Sequence, residues 1–386
     1  MQSTRGATLA TALLLAGLAS LQGCSDAPAP ACAPAAAARS ATSDAISATL
    51  ERVKEADKLG AIIFAAEQNG APILRTALGE STPGVPATTD MHFRIGGVGW
   101  QYLTTVLLRM VERKPDQIAL TDPASRWYPT YPHADRATVR MLAASSAGFG
   151  DYITPVAFTD EVGADPLRLW TADDLIARSV APYQEPQFDD PGQNWRYSHT
   201  DFVMLGAILE QVSGRDYAAL LQDLALDPLG LRDTRFQLDA DPQQPVLHTL
   251  TEETFEDSTY WNPSFVSWAA LTSNICDLST WTRAFGTGSL LSTETRSEVL
   301  APVNVGLGGN TPQRYFGLGT IIYAPWIVQQ AAYWGMYTTT AYDPTTGIAL
   351  AATVSLSPDS PSKISPADEI VFAISKLLTP DHPISN

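Results

Sequence analysis

The spacing of apolar residues changes period along the chain, and each change predicts an element. From Ser43 to about Lys58, Ala45, Leu50 and Val53 sit among polar residues and predict a helix. Gly60 to Glu67 is a short apolar run of strand character, followed by Gln68-Asn69-Gly70 and a second run from Pro72 to Leu78. Asn-Gly between two such runs predicts a hairpin, because both residues tolerate positive φ. After Gly99, the residues Leu103, Val106, Leu107, Met110 and Val111 recur at i, i+3, i+4, i+7 and i+8. That is one face of a helix, which Lys114-Pro115 ends.

From about 115 to 265 the pattern is mostly helical, with Pro-rich breaks. Within it, Phe202, Leu205, Leu209 and Val212 mark an amphipathic helix over Thr200 to Val212. His199 or Thr200 falls at its N-cap and Gly214 at its C′ stop. Strand character returns over Tyr315–Tyr323, Ile327–Tyr333, Tyr337–Tyr342 and Ile348–Ser355, with a turn at Asp343 to Gly347. Ala367 to Leu378 closes the chain as a helix. Strands and a helix at both ends predict one α/β domain over 43–380. Its two parts, 43–114 and 266–380, are interrupted by a helical insertion over 115–265.

The first 24 residues have another pattern. Arg5 precedes an apolar run from Ala7 to Leu21, too short for a mature membrane span and suited to a signal peptide. Leu21-Gln22-Gly23-Cys24 resembles a bacterial lipobox, which implies that Cys24 is acylated and anchors the mature chain to a membrane. The alternative is an ordinary secretory peptide with a chance cysteine. Residues 25–42, rich in Ala and Pro, read as a tether. Cys32 and Cys276 remain, and two cysteines so placed suggest no disulfide framework; Cys276 reads as a small buried hydrophobe.

The 386 residues are 45% hydrophobic, enough for a large core. The chain carries 24 basic against 41 acidic residues, a formal net charge of −17. Such a surface repels nucleic acid and excludes it as a partner class. No two of His92, His133, His199, His248 and His382 stand at a metal-ligand spacing, so neither a metal nor a cofactor is expected.

The segment with the most chemical content is Phe93-Arg94-Ile95-Gly96-Gly97-Val98-Gly99-Trp100. It resembles the nucleophile segment Phe-Arg-Ile-Gly-Ser-x-x-Lys of the serine β-lactamase and penicillin-binding protein family of class C type. Further matches follow in order: Leu120-Thr121-Asp122-Pro123 with Trp127-Tyr128-Pro129, Thr138 to Tyr152, Tyr197 to Gly214, and Asp227-Pro228-Leu229-Gly230-Leu231. The resemblance runs from about 43 to 378. It implies an α/β (α+β) fold with an antiparallel sheet flanked by helices. It also implies a hydrolase that needs a nucleophile, a base and an oxyanion hole.

Carried over residue by residue, the resemblance puts Gly97 at the serine and Trp100 at the lysine. Tyr197 keeps the tyrosine of the second motif, and His199 replaces its asparagine. Tyr333-Trp334-Gly335 matches the third motif with the cationic position lost to Tyr333 and the glycine kept. Glycine has no side chain to attack a carbonyl, and an indole has no basic nitrogen. The N–H groups of Gly97 and Met336 would be the remains of an oxyanion hole. Trp100, Tyr197, Tyr333 and Trp195 would either wall an aromatic ligand cleft or fill it. Ser145, Ser146 and Ser198 are candidate relocated nucleophiles, with His199 as a base for Ser145 and loop-stabilising hydroxyls as the alternative. Gly306-Leu307-Gly308-Gly309 reads as a loop over the cleft edge.

Taken together, these features predict a lipid-anchored, β-lactamase-like protein of a bacterial cell envelope, not itself an active enzyme. Its ligand would be a peptidoglycan peptide, ester or amide. An active serine hydrolase with a relocated nucleophile, and an envelope interaction protein with a filled cleft, are the alternatives.

Overall fold

The computed structural model describes residues 32–36, 40–251, 254–361 and 365–385. The signal segment and Cys24 lie outside the described residues. In chain order the strands are β1 (Ala35–Ala36), β2 (Ala61–Gln68), β3 (Ala71–Thr82), β4 (Val85–Pro86), β5 (Phe93–Arg94), β6 (Arg235–Phe236), β7 (Leu271–Ser273), β8 (Arg314–Phe316), β9 (Ile321–Tyr323), β10 (Trp326–Tyr333), β11 (Met336–Asp343) and β12 (Ile348–Ser355). The helices are α1 (Ala41–Ala56), α2 (Gly99–Arg113), α3 (Val139–Ala143), α4 (Val156–Ala164), α5 (Ala172–Ala177), α6 (His199–Ser213), α7 (Tyr217–Leu221), α8 (Asp227–Leu229), α9 (Ile275–Thr287), α10 (Thr293–Val299) and α11 (Pro366–Leu378). Among these described helices none is long and apolar enough to cross a membrane.

The expected hairpin is present. Asn69 and Gly70, at φ 50° and 85°, turn the chain between β2 and β3. β2 then pairs antiparallel with β12 from Ile348↔Gln68 to Ser355↔Ala61, so the two ends of the domain share one sheet. Its order is β1-β3-β2-β12-β11-β10-β9-β8, with β4 on β3. Every residue of β11 and β12 is buried, as strands covered on both faces must be. Alternation divides the side chains of β2 between the faces. Ile62, Phe64 and Ala66 meet Ile46, Leu50 and Val53 of α1 and Ile370 and Ile374 of α11. Ile63 and Ala65 belong to the larger core that contains α2 and α9.

Among the described residues of 115–265, α6 is the only long helix, set among short helices and turns. The Pro-rich breaks are therefore longer than the pattern suggests. Gly214, at φ 66°, caps α6 as expected. Its N-cap is Ser198 rather than His199 or Thr200, both of which lie inside the helix. A second small sheet, β5-β7-β6, pairs Phe93 with Ser273 and Arg235 with Thr272. It ties the start of the nucleophile-like segment to the later part of the insertion and to the strand that follows it.

Two expectations about the N-terminal segment are corrected. Ser40 caps α1 through a reciprocal hydrogen-bonded box with Ser43, so the helix starts at Ala41. Cys32 is disulfide-bonded to Cys276 at the first turn of α9, with the Cα atoms 5.8 Å apart. Cys276 is thus half of a cross-link rather than a free buried hydrophobe, and Ala35–Ala36 adds a strand to β3. The folded unit begins before residue 43, inside the stretch read as a tether. Composition could not show this, because the two cysteines are 244 residues apart. Closing so long a loop restricts the unfolded chain, worth about 2–5 kcal/mol. Cys32→Ser is accordingly expected to lower the thermal midpoint by several degrees. Reductant should lower the wild-type midpoint but leave the variant's unchanged, as read by circular dichroism.

Candidate functional site

Gly96 to Val98 form a single 3-10 turn that leads directly into α2. The turn lies along β10, where Gly96 leaves space for the Ala331 side chain. Gly99 is required sterically, since a Cβ there would meet Ala269 Cα at 2.8 Å. Gly97 is not. An added Cβ would find its nearest neighbours at 3.4 Å (Gln330 O) and 3.5 Å (Trp100 Nε1), ordinary contact distances. The backbone at 97 therefore leaves room for a Cβ, and packing at that atom does not demand glycine.

One helical turn on, Trp100 is 1% exposed. Its Nε1–H donates to Tyr197 Oη at 2.6 Å, and its ring stacks on Phe202 with centroids 4.6 Å apart. Such stacking contributes about 0.5–1.5 kcal/mol beyond burial. Burial first, and then the negative charge of Asp151, raise the Tyr197 pKa well above the ordinary phenol value. Tyr197 is therefore a neutral phenol at physiological pH. Trp100 and Tyr197 together therefore supply no basic group here.

His199, the first residue of α6, points its Nδ1 at Asp151 Oδ2, 3.0 Å away. Its ring packs edge-on to Tyr197 at 4.8 Å. Asp151 is buried, and sequence reasoning assigned it no role although it lies inside a matched motif. Asp201, at the third position of α6, is fully buried and accepts the Ala147 N–H at 3.2 Å. Burial, reinforced by Asp151, raises its carboxyl pKa well above the usual range.

The candidate relocated nucleophiles sit inside the protein. Ser145 is 0% exposed and Ser198 equally so; Ser146 is also buried. Ser145 Oγ accepts the Ser198 backbone N–H at 2.8 Å, so it fastens a loop at φ 54° and does not meet His199. Ser145 is thus not part of a cleft wall.

Tyr333 also turns inward, buried against Phe265 at 5.5 Å with the Arg94 guanidinium 5.6 Å from its ring centre. Gly335 is the second residue of the β10–β11 turn, at φ 89°. A Cβ there would lie 1.5 Å from Leu250 O. The close approach that demands glycine comes from the protein's own chain, not from a ligand. Met336 is buried and pairs with Tyr333 at the end of the ladder.

The expected aromatic cleft is therefore divided. Trp100 and Tyr333 are core, whereas Trp195 and Tyr197 line an opening of about 210 Å³ together with Gly308, Arg314, Phe316 and Gln330. Trp195 is held there by its Nε1–H, which donates to Ala144 O at 3.1 Å. Gly308 and Gly309 place the glycine-rich loop on the rim of this opening. Arg314 and Gln330 carried no signal in the sequence, because strand pairing alone brings them to Tyr197. No group of three or more His, Cys, Asp and Glu among the described residues is placed to hold a metal ion.

Comparison with known proteins assigns this frame. The model of the family described as Beta-lactamase matches residues 46–373, most of the chain. The chain belongs to the beta-lactamase family. Within that family of serine hydrolases it is similar to esterase EstB of Burkholderia gladioli, 29% identical over 207 residues. The match covers 50% of this chain and 51% of the esterase, so the chain spans about half the length of that curated relative. Among solved structures, a D-stereospecific amidohydrolase from Streptomyces sp. superposes with a TM-score of 0.73 at 23% identity, covering 86% of this chain and 97% of that one. D-amino acid amidase from Ochrobactrum anthropi SV3 gives a TM-score of 0.73 at 21% identity, covering 88% and 100%. These likenesses carry the family's fold across nearly the whole described chain, including the region of Gly97, Trp100 and Tyr197.

Asp201 provides a test of the site's electrostatics. A carboxyl titrates at about 3.9 when unfolded. Its folded value is higher, so the native state holds the proton longer and stability falls as pH rises from the unfolded value toward the folded one. Asp201→Asn keeps an oxygen for the Ala147 N–H and removes that loss. Thermal midpoints measured from pH 4 to pH 8 should move in the variant's favour as pH rises. A constant difference would mean that Asp201 is ionised in the fold.

Proposed function

We propose that this member of the beta-lactamase family is a non-catalytic binding protein of the cell envelope. The observation that carries the reading is the 2.6 Å hydrogen bond from Trp100 Nε1 to Tyr197 Oη. An indole occupies the place of the general base and engages the tyrosine that would otherwise shuttle a proton. With Gly97 beside it, no group at the family's reacting centre can form an acyl-enzyme.

Ligand binding would fall to the opening of about 210 Å³ next to Tyr197. Trp195 and Phe316 offer it apolar contact, Gln330 hydrogen bonds and Arg314 a positive charge. A small peptide, amide or ester with a carboxylate end suits that lining, in keeping with a peptidoglycan peptide. The Cys32–Cys276 disulfide supports an exported chain, since such cross-links persist in oxidising compartments. Leu21 to Cys24 supports attachment by a lipid on Cys24.

A second reading, hydrolysis from a relocated site, is favoured only by the His199–Asp151 pair, which has the form of a base and its orienting carboxylate. The buried Ser145 and Ser198 give it no accessible nucleophile.

Intact-protein mass after incubation with a fluorophosphonate, and separately with a penicillin, tests the proposal. The wild-type protein should show no adduct beside a reactive family member. The double variant Gly97→Ser with Trp100→Lys should gain a stoichiometric one at residue 97. A wild-type adduct would overturn the reading, and its mapped position would identify the nucleophile. For the ligand, Arg314→Ala should weaken binding of a D-alanyl-D-alanine peptide by about tenfold, the loss expected for one charge-assisted contact. Calorimetric titration would measure it.

A further inference from the structure

A second cavity, of about 490 Å³, shares no lining residue with the opening at Tyr197. Asp160 of α4, Glu256, Trp261 and Trp334 are among the residues around it. Its volume lies within the range of small-ligand sites.

Trp334 is the first residue of the β10–β11 turn and sits at φ 39°, next to Gly335 at 89°. A two-residue turn with positive φ at both positions favours Asn-Gly. A bulky side chain there is an outlier that costs stability, and such outliers point toward function. The surroundings hold it in place. Ser258 Oγ donates to Trp334 O at 3.3 Å, and the indole stacks on Phe265 with centroids 4.7 Å apart. The same indole meets Trp261 at 4.8 Å and an interplanar angle of 85°. Two half-buried indoles thus form perpendicular walls.

The charges around the walls are mainly negative. Asp160 and Glu256 are exposed, and neither forms an ion pair with a cation among the described residues. The nearby His248 is engaged with Asp257 at 2.7 Å. Arg94 is the opposing charge. It lies behind the wall, 5% exposed, with Nη2 donating to Trp261 O at 3.1 Å. Arg94 thus meets Trp261 from the interior side, while Asp160 and Glu256 line the cavity itself.

We propose that this cavity binds an organic ammonium ion, a quaternary or methylated amine seated in the angle between Trp261 and Trp334 with Asp160 and Glu256 as counter-charges. Indole faces attract such cations, and a right-angled pair contacts the methyl groups on two sides. The site goes beyond the proposed function and does not rest on it.

The test uses choline as the probe and 3,3-dimethylbutan-1-ol, its uncharged isostere, as the control. Saturation-transfer NMR and calorimetry at constant ionic strength would follow both. Choline should bind saturably and the alcohol about tenfold more weakly or worse. Trp261→Ala should weaken choline about tenfold, and Glu256→Gln several-fold. Trp334→Gly should abolish binding while the variant still unfolds cooperatively by circular dichroism, because glycine suits the turn; this separates loss of the wall from loss of the fold. Gly97→Ser should bind choline as the wild type does, so the outcome is independent of the catalytic question. Equal binding of the uncharged isostere, absence of saturable choline binding, or indifference to Trp261→Ala would overturn the proposal. So would binding of N-acetylglucosamine oligomers in place of choline.

Discussion

The pairing of β2 with β12 is the constraint on which the other parts depend. It joins the first hairpin to the last three strands in an unbroken eight-residue register. It also puts α1 and α11 on one face, and leaves the other for α2 and α9. The long middle of the chain leaves β3 at the Ala61 end of the sheet and returns to β8 on the opposite edge, at the end where β2 reaches Gln68. That return brings Gly97 against β10 and Tyr197 against Trp100. The Cys32–Cys276 cross-link reinforces the arrangement by tying the segment before α1 to the first turn of α9.

Within this frame Trp100 is packed into the interior, and Tyr197 stands between it and the opening. Trp100 is satisfied at every point: its N–H by Tyr197, its face by Phe202, its backbone carbonyl by Thr104 Oγ1 at 2.7 Å. An ammonium group in the same place would need a charged or solvated partner to offset its desolvation. The indole needs only one acceptor. At Gly97 a Cβ would meet only ordinary contacts, so packing does not demand the glycine. The two positions therefore differ in kind. Gly97 supplies no side chain, whereas Trp100 supplies a structural one.

The elements were legible in the sequence where a local rule governs them. Asn69-Gly70 turned as its φ preferences require, and Gly214 stopped α6. The apolar period of α2 placed that helix close to its observed bounds. Local rules failed where a partner distant in sequence decides. Ser198 rather than His199 caps α6, and Cys32 found Cys276. Ser145 turned inward to the Ser198 backbone instead of toward a cleft, and Gly335 answers to Leu250.

The sequence by itself determined the family frame, the order of its motifs and the absence of a nucleophile at 97 and a base at 100, because these are matters of residue type. Only the tertiary structure decided that Trp100 and Tyr333 are core, that Tyr197 and Trp195 still face an opening, and that Asp151 stands under His199. Each of those outcomes depends on which side chain wins a buried space contested by residues tens to hundreds of positions apart. Neither composition nor spacing encodes that contest.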